Sequence, residues 1–295
     1  MRKLRFLAKG GTGSRKYMKP KNSMQEQKPV DAAEAAGTEE EFNQTQEDLR
    51  KMLLPGVESN LNILYEDNHI IVVVKSRNMP SQADRTGDID LLTFTKQYIK
   101  LKYNKPGNVY LALVHRLDRP TGGVMMFAKT EKSAGRLSEQ LREGLVQKKY
   151  LAVVVGVPRQ KAGRLKHYLF KDEKNNKVKA HVANVPGSKL ALLDYRVLET
   201  VDGLTLVDIT LITGRSHQAR VQMASLGCPL YADHKYSPPG KTVGYGKPLA
   251  LWAYSLVFAH PVKNDARLFR ALPPVEEAPW HLFNLEKHVS NITPL

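Results

Sequence analysis

The run of five apolar residues from Val124 to Ala128 constrains the fold of this chain more than any other stretch. An apolar run of this length without alternating polar positions is typical of a strand buried on both faces of a sheet. A shorter apolar strand ends at Val114, and the largely polar residues 115–123 between the two contain Pro120 and two glycines, which is typical of a turn. The segment therefore predicts a polar loop held between two buried strands, a position where binding and catalytic groups concentrate.

One carboxylate, Asp118, lies in this loop between Arg116 and Arg119. A loop aspartate between basic residues commonly caps its own backbone or pairs with a neighbouring guanidinium. The position of the loop on a rigid scaffold favours a functional carboxylate instead. The residues by themselves leave both interpretations open.

The rest of the chain mostly predicts strands joined by hairpins. Runs rich in β-branched and aromatic residues alternate with turn sequences such as Asp202-Gly203. The predicted strands are 63–66, 70–75, 146–156, 190–199 and 204–212. Helical spacing of apolar residues predicts helices at 90–101, after Thr130, and from Ser216, the predicted N-cap, to Gly227. We expect a mixed α/β (α+β) fold with a largely antiparallel sheet, flanking helices and a basic cleft across one face, because the many hairpins argue against a parallel doubly wound sheet.

Residues 1–60 differ from the remainder of the chain. Their first half is basic, their second half is acidic and polar, and no apolar periodicity runs through them. This composition is typical of a disordered, charge-segregated tail. We therefore expect a tail over residues 1–60 and one folded domain over residues 61–295.

The sequence favours a cytoplasmic protein. A mitochondrial presequence is the alternative because the first residues lack acids, but serine is scarce there and no amphipathic helix emerges. The single cysteine, Cys228, excludes an internal disulfide and a multi-cysteine zinc site, which fits a reducing compartment. The sequence contains no run of about 18 apolar residues, so it predicts no membrane span. No metal-binding spacing is present, and nothing requires an obligate protein partner.

The charge of the chain predicts a polyanionic partner. A formal net charge of +16 and a pI near 9.7 favour nucleic acid first and an anionic membrane surface second. The basic residues of the stretch 159–181 include Lys174, Lys177 and Lys179, on either side of a predicted turn at Asn175-Asn176. Such a stretch is commonly a solvated face, but on a protein this basic it also predicts a hairpin arm that contacts phosphates.

The loop sequence itself resembles a known signature. His115-Arg116-Leu117-Asp118, followed by Arg119, Thr121 and Gly123, resembles the HRLD motif of the RluA-type pseudouridine synthases. Three further stretches resemble motifs of that family in the expected order, and the resemblance spans about residues 62–272. Within that span, residues 249–261 resemble the family's LHAxxLxFxHP strand, which implies a further strand there. Lys148–Ala152 resembles its Lys-x-Tyr-x-Ala setting, 213–222 resembles TGRxHQIRVH with Ala219 and Gln222 substituted, and 229–233 resembles Pro-x-x-Gly-Asp with Ala232 for glycine.

The resemblance implies isomerisation of uridine to pseudouridine within a ribosomal or transfer RNA, without a cofactor. It makes Asp118 the catalytic carboxylate, Arg215 its ion-pair partner, and Tyr150 the residue against the target base. Without the resemblance, Tyr150 is equally a core aromatic and Arg215 a surface arginine. The residues expected to contact RNA are His115, Arg116, Arg119, Thr121, His217, Lys174, Lys177 and Lys179, with Arg116 entering the space left by a flipped nucleotide. Whether Asp118 attacks the sugar or removes a sugar proton stays open.

Two other functions compete with this interpretation. The first is a noncatalytic RNA-binding protein that retains the fold. This alternative stays open because the chain departs from the family motifs at Ala219, Gln222 and Ala232, and has Ser76 where the family has a proline. The second is a metal nuclease using His115, Asp118 and His217, which is weaker because no compact carboxylate cluster accompanies them.

Overall fold

The structure is a computed structural model that describes residue 56 and residues 60–240 and 242–290. The folded residues belong to a compact unit assigned to residues 47–295. The predicted tail, residues 1–60, lies almost entirely outside the described residues, so its disorder stays a prediction.

Eleven strands of the described chain form one sheet. The strands are β1 Asn62–Glu66, β2 Ile70–Lys75, β3 Ala112–Leu113, β4 Gly122–Ala128, β5 Gln147–Val155, β6 Ala162–Asp172, β7 Lys177–His181, β8 Lys189–Val201, β9 Leu204–Leu211, β10 Leu251–Ala259 and β11 Ala266–Arg270. Their order is β1-β2-β4-β10-β5-β9-β8-β6-β7, with β3 also pairing with β4 and β11 with β10. Every pairing is antiparallel except that of β4 with β10. The predicted fold class is therefore confirmed.

The helices begin where side chains satisfy their first N–H groups. Asp90 accepts a hydrogen bond from the Thr93 N–H at the start of one helix, and Thr130 accepts from the Ser133 N–H at the start of the next. The predicted cap of the third helix, Ser216, is wrong, because the N-cap is His217 and its side chain caps no backbone N–H. The helices are α1 Leu91–Lys102, α2 Glu131–Glu143, α3 Gln218–Ser225 and α4 Leu285–Ser290, with a 3₁₀ turn at Trp280–Leu282.

The strand β4 is buried along its whole length, as the apolar run predicts. Met125 and Phe127 pack in the largest core cluster, on the face that also receives Tyr150. Val124 and Met126 point to the other face, where Leu137 of α2 covers them. Burial on both faces explains why the sequence of this strand shows no alternation.

The two glycines before the apolar run belong to β4 and not to the turn in which the sequence placed them. A Cβ on Gly123 would lie 2.2 Å from the Ala253 carbonyl oxygen, and one on Gly122 would lie 2.2 Å from the Trp252 ring. Gly123 also has a φ of +124°, which side chains disfavour. The glycine pair therefore allows β10 to approach β4 in the one parallel pairing found among the described strands.

Candidate active site

The predicted catalytic loop opens into a cavity of about 480 Å³. The three predicted catalytic residues, Asp118, Tyr150 and Arg215, all line it. So do four of the residues predicted to contact RNA, which are His115, Arg116, Thr121 and His217. The cavity lies between residues 115–121, the start of β5, and the connection from β9 into α3, so segments far apart in sequence meet there.

Hydrogen bonds fix the backbone on both sides of Asp118. The buried Ser81 hydroxyl accepts from the Leu117 N–H at 3.2 Å and donates to the Leu117 carbonyl at 2.8 Å. After the aspartate, the Thr121 N–H donates to the Asp118 carbonyl at 2.9 Å. The carboxylate is therefore presented by a backbone with little freedom to move.

A fully buried lysine, Lys75 at the end of β2, also holds this loop. Its Nζ donates to the carbonyls of Ser76 at 3.0 Å, Met79 at 2.6 Å and Arg119 at 3.1 Å. Burial lowers the pKa of Lys75 to about 7, although the Asp118 carboxylate opposes that shift. The lysine thus ties the residue after Asp118 to the end of β2 and places a titratable amine near the carboxylate.

Tyr150 on β5 is only 7% exposed and packs in the main core while its side chain also lines the cavity. Burial, with a smaller contribution from Asp118, raises the pKa of its phenol, so the hydroxyl stays protonated. Tyr150 is therefore both a core aromatic and part of the cavity wall.

The predicted ion pair between Arg215 and Asp118 is wrong for this structure, because none joins them in the part of the chain that is described. The Arg215 Nε donates to the Leu190 carbonyl at 3.0 Å, and its backbone N–H donates to Gln218 Oε1 at 3.0 Å. The turn between β9 and α3 therefore directs the exposed guanidinium toward β8. A catalytic role for Arg215 stays a prediction.

A different arginine, Arg220 of α3, lies buried in the wall of this cavity. Its Nε and Nη2 bind the two carboxylate oxygens of the buried Asp233 at 2.8 and 2.6 Å. Burial acts against the charged guanidinium, but the Asp233 hydrogen bonds prevail and raise the pKa of Arg220, with Asp118 adding to the shift. Arg220 is therefore a fixed positive charge beside Asp118.

Two further predicted cavity residues have distinct environments. The Nε2 of His115 accepts a hydrogen bond from the Met126 N–H at 3.1 Å, and burial with the nearby Lys148 lowers the pKa of His115 to about 3. The histidine is therefore neutral, and one of its two ring nitrogens is bound to the backbone of β4. The buried hydroxyl of Thr121 has no hydrogen-bond partner among the described residues, although its residue lines the cavity.

The RNA contact of Arg119 stays a prediction, and its side chain is not part of the cavity lining. Its guanidinium binds Asp88, the Thr86 hydroxyl at 2.9 Å and, at 3.6 Å, Asp84. These acids lie about thirty residues upstream in the chain, in the segment before α1. The Arg119 carbonyl accepts a hydrogen bond from Lys75 Nζ at 3.1 Å, which ties this residue to the end of β2.

The basic arm is formed by β6 and β7, as the sequence predicts. Lys177 and Lys179 flank Val178 on β7, and because Val178 packs inward against Val221 of α3, both lysines lie on the outer face. Lys174 is exposed in the turn between the strands. The arm lysines lie outside the cavity, and their contact with RNA stays a prediction.

Sequence reasoning missed Lys75, Lys148 and Arg220. Lys148 lines the cavity, burial lowers its pKa, and its Nζ would lie 3.2 Å from a Cβ on Gly214. A signal existed for Lys148 and Arg220, because both stand inside stretches that resemble family motifs.

Neither a metal-type cluster of His, Cys, Asp and Glu nor a helix long and apolar enough to cross a membrane occurs among the described residues. His115, Asp118 and His217 share the cavity but do not form such a cluster.

A mostly antiparallel sheet whose cavity combines a loop carboxylate, a buried tyrosine and fixed cations defines a site suited to an anionic substrate. The chain matches the family model described as RNA pseudouridylate synthase over residues 69–225. It belongs to this family. The predicted family is thereby confirmed.

Curated relatives agree with this assignment. The chain is 33% identical over 201 residues to Ribosomal large subunit pseudouridine synthase C of Rickettsia bellii, covering 68% of this chain and 64% of the relative, slightly less than two thirds of it. It is 34% identical over 219 residues to the protein of that name from Buchnera aphidicola subsp. Baizongia pistaciae, covering 72% and 67%. The Uncharacterized RNA pseudouridine synthase YlyB of Bacillus subtilis is 33% identical over 235 residues, covering 78% and 74%.

Two solved human structures share the fold. Human RNA Pseudouridylate Synthase Domain Containing 4 has a TM-score of 0.61 at 26% identity, covering 79% of this chain and 94% of that one. Human RNA Pseudouridylate Synthase Domain Containing 1 has a TM-score of 0.60 at 25% identity, covering 74% and 85%.

Proposed function

We propose that this protein isomerises uridine to pseudouridine in large-subunit ribosomal RNA, with Asp118 as the catalytic carboxylate. The observation that carries the proposal is the cavity that brings Asp118, Tyr150 and Arg220 together in a member of this family. The choice of ribosomal over transfer RNA rests on the names of the curated relatives. Those names also favour an enzyme over the noncatalytic alternative.

The reaction breaks the bond between uracil N1 and the ribose C1′, turns the base, and joins uracil C5 to the same carbon. Atoms balance within the nucleotide, so neither an oxidant nor a second substrate enters. The step needs a carboxylate at the sugar, either as nucleophile at C1′ or as base for a neighbouring sugar proton. Asp118, on a loop held by Ser81 and Lys75, would supply it from a fixed position.

The cavity is suited to an extruded base. Its volume of about 480 Å³ lies within the range of roughly 300–1,000 Å³ that pockets for small ligands occupy. Tyr150 would provide an aromatic wall for uracil. Arg116 is exposed at the mouth, where it would fill the gap that the flipped nucleotide leaves in the RNA.

The surroundings supply a basic path for the RNA backbone. A second cavity of about 370 Å³ adjoins the first through Gly214, Arg215 and Ser216, and Lys171 and Lys189 line it. Arg215 therefore stands between the two cavities, where phosphates next to the target uridine would pass. The arm lysines would extend this path outward.

Mapping pseudouridine in total RNA tests the proposal. Cells lacking the gene are complemented with the wild type, with Asp118→Asn, or with Asp202→Asn, a matched change in an exposed hairpin turn. We expect one ribosomal position to lose pseudouridine without the gene and to regain it with the wild type and Asp202→Asn only. Purified Asp118→Asn should keep its melting temperature and RNA affinity, because the amide preserves shape.

Two outcomes would contradict parts of the proposal. Modification by Asp118→Asn at the wild-type rate would show that the carboxylate takes no part in the chemistry. Loss of a transfer RNA pseudouridine in cells without the gene would show that the substrate is transfer RNA and not ribosomal RNA.

The proposed site of action is the cytoplasm, consistent with the single buried Cys228. A fluorescent fusion that colocalises with mitochondria would overturn that last point.

A further inference from the structure

His217 begins α3 in a backbone conformation that is rare outside glycine, with a φ of +53°. This conformation turns the imidazole toward Tyr236. The His217 Nδ1 lies 2.6 Å from the Tyr236 hydroxyl oxygen, and the two rings meet edge to face with centroids 5.7 Å apart. His217 also lines the cavity that contains Asp118.

The direction of the hydrogen bond between these rings follows from the other partner of the hydroxyl. The Val178 N–H of the basic arm donates to the Tyr236 oxygen at 3.0 Å. Burial raises the pKa of Tyr236, so the phenol keeps its single proton. Among the described residues, His217 Nδ1 is the acceptor within reach of that proton. Tyr236 therefore donates to Nδ1.

An accepting Nδ1 fixes the protonation of the ring. Burial lowers the pKa of His217, although Asp118 opposes the shift, so the imidazole is neutral and its one proton lies on Nε2. Nδ1 faces Tyr236, so the opposite edge of the ring, with Nε2–H, is the one available to the cavity. The titratable and charged groups that act on the ring are Tyr236, Asp118, Arg220, Lys235 and Asp233.

We propose that Tyr236 is a positioning residue for the reaction, which holds His217 as the Nε2–H tautomer so that this N–H donates to an oxygen of the nucleotide bound beside Asp118. The carbonyl, ribose and phosphate oxygens of a nucleotide are all acceptors. The other tautomer would place a lone pair against them and lose the hydrogen bond. The proposal rests on the proposed activity, and its first test is independent of turnover.

That first test is ¹⁵N NMR of the full-length protein with labelled histidine, in which the shifts of the two ring nitrogens distinguish the tautomers. The His217 signals are identified by their absence from His217→Gln. We expect the Nε2–H form in the wild type at pH 8 and a substantial Nδ1–H population in Tyr236→Phe. A wild-type spectrum showing the Nδ1–H form overturns the proposal whether or not the variant folds and whether or not the enzyme is active.

The second test is a double-variant comparison of kcat/KM on the mapped RNA. Tyr236→Phe keeps the ring on which Arg220 stacks, at 5.2 Å, and should lower kcat/KM about tenfold at pH 8. The deficit should shrink as the pH falls, because a protonated imidazole carries Nε2–H in any case. Tyr195→Phe, a matched change in a core tyrosine away from the cavity, should leave kcat/KM unchanged.

In the His217→Gln background the amide N–H replaces the imidazole donor and has no tautomers. There, Tyr236→Phe should cause no further loss of kcat/KM. An equal loss in both backgrounds, with no pH dependence, would show that Tyr236 acts by packing alone and would overturn the proposal.

Discussion

The buried pair of Arg220 and Asp233 allows burial to be tested apart from geometry, because the chain contains an exposed counterpart. Arg164 binds Asp194 at 2.7 and 2.8 Å, and Arg220 binds Asp233 at 2.8 and 2.6 Å, in each case through Nε and Nη2. The Asp233 side chain is 0% exposed, whereas that of Asp194 is 42% exposed. We predict that Asp233→Asn destabilises the protein far more than Asp194→Asn.

The expected magnitude follows from what the Asp233→Asn change leaves unsatisfied. The substituted amide would retain an oxygen for the backbone N–H groups of Lys235 and Tyr236, which bind the Asp233 Oδ1 at 3.0 and 3.2 Å. Its NH₂ would face the Nε–H of Arg220, so two donors meet and a buried charge loses its counter-ion. Breaking a buried pair costs about 3–5 kcal/mol, while an exposed pair contributes about 0.2–1 kcal/mol.

Thermal and urea unfolding of the two variants measure the difference. For a domain of this size, about 3–5 kcal/mol corresponds to a fall in Tm of roughly 6–20 °C, against less than about 4 °C for Asp194→Asn. Urea midpoints should shift in the same order without a change in the slope. Equal shifts for the two variants would refute the argument that burial, and not bidentate geometry, gives the pair its importance.

Two other predictions concern Lys75 and the arm. Folding lowers the pKa of Lys75 from 10.5 to about 7, so between these pH values the unfolded chain carries one more proton than the folded protein. The stability of the wild type relative to Lys75→Met should therefore rise by about 1.4 kcal/mol per pH unit between pH 7 and 10.5. Urea unfolding at several pH values measures this rise. A stability difference independent of pH would contradict the buried titration. Replacing Lys174, Lys177 and Lys179 together by Gln should flatten the slope of log RNA affinity against log salt concentration, by roughly 0.7 for each single-strand phosphate no longer bound. The variant should still modify the same nucleotide. An unchanged slope in fluorescence anisotropy titrations would mean that these lysines form only a solvated face.

The sequence predicts the scaffold well where one local pattern decides the outcome. The apolar run of β4 requires burial on both faces, and Asp90 and Thr130 have the side chains that cap helices. The turn at Asp202-Gly203 joins β8 and β9 as its composition indicates. Each of these features depends on residues close together in the chain, so it can be predicted without knowing the tertiary contacts.

Side-chain partners are harder to predict, because the sequence does not say which of several charges will meet. Arg119 pairs with Asp84 and Asp88, which reach it only through the path of the chain before α1. Arg215 binds a β8 carbonyl because the β9–α3 turn aims it there. Tyr236 gives no signal at all, since its role arises from Val178 and His217, which belong to two other segments.

The predicted ion pair between Arg215 and Asp118 is absent from the described chain, and the actual partners of the nearby basic side chains explain how Asp118 stays available. In a cavity this basic, a mobile guanidinium would close onto the carboxylate, but three of the nearby basic side chains are held by other partners in the described chain. Asp233 holds Arg220, the Leu190 carbonyl holds Arg215, and three backbone carbonyls hold Lys75. Their charge still attracts an RNA backbone, because the field extends beyond the hydrogen bonds that fix them. A carboxylate meant to meet a ribose is therefore not bridged by these three basic side chains, which is the preorganisation that such chemistry needs.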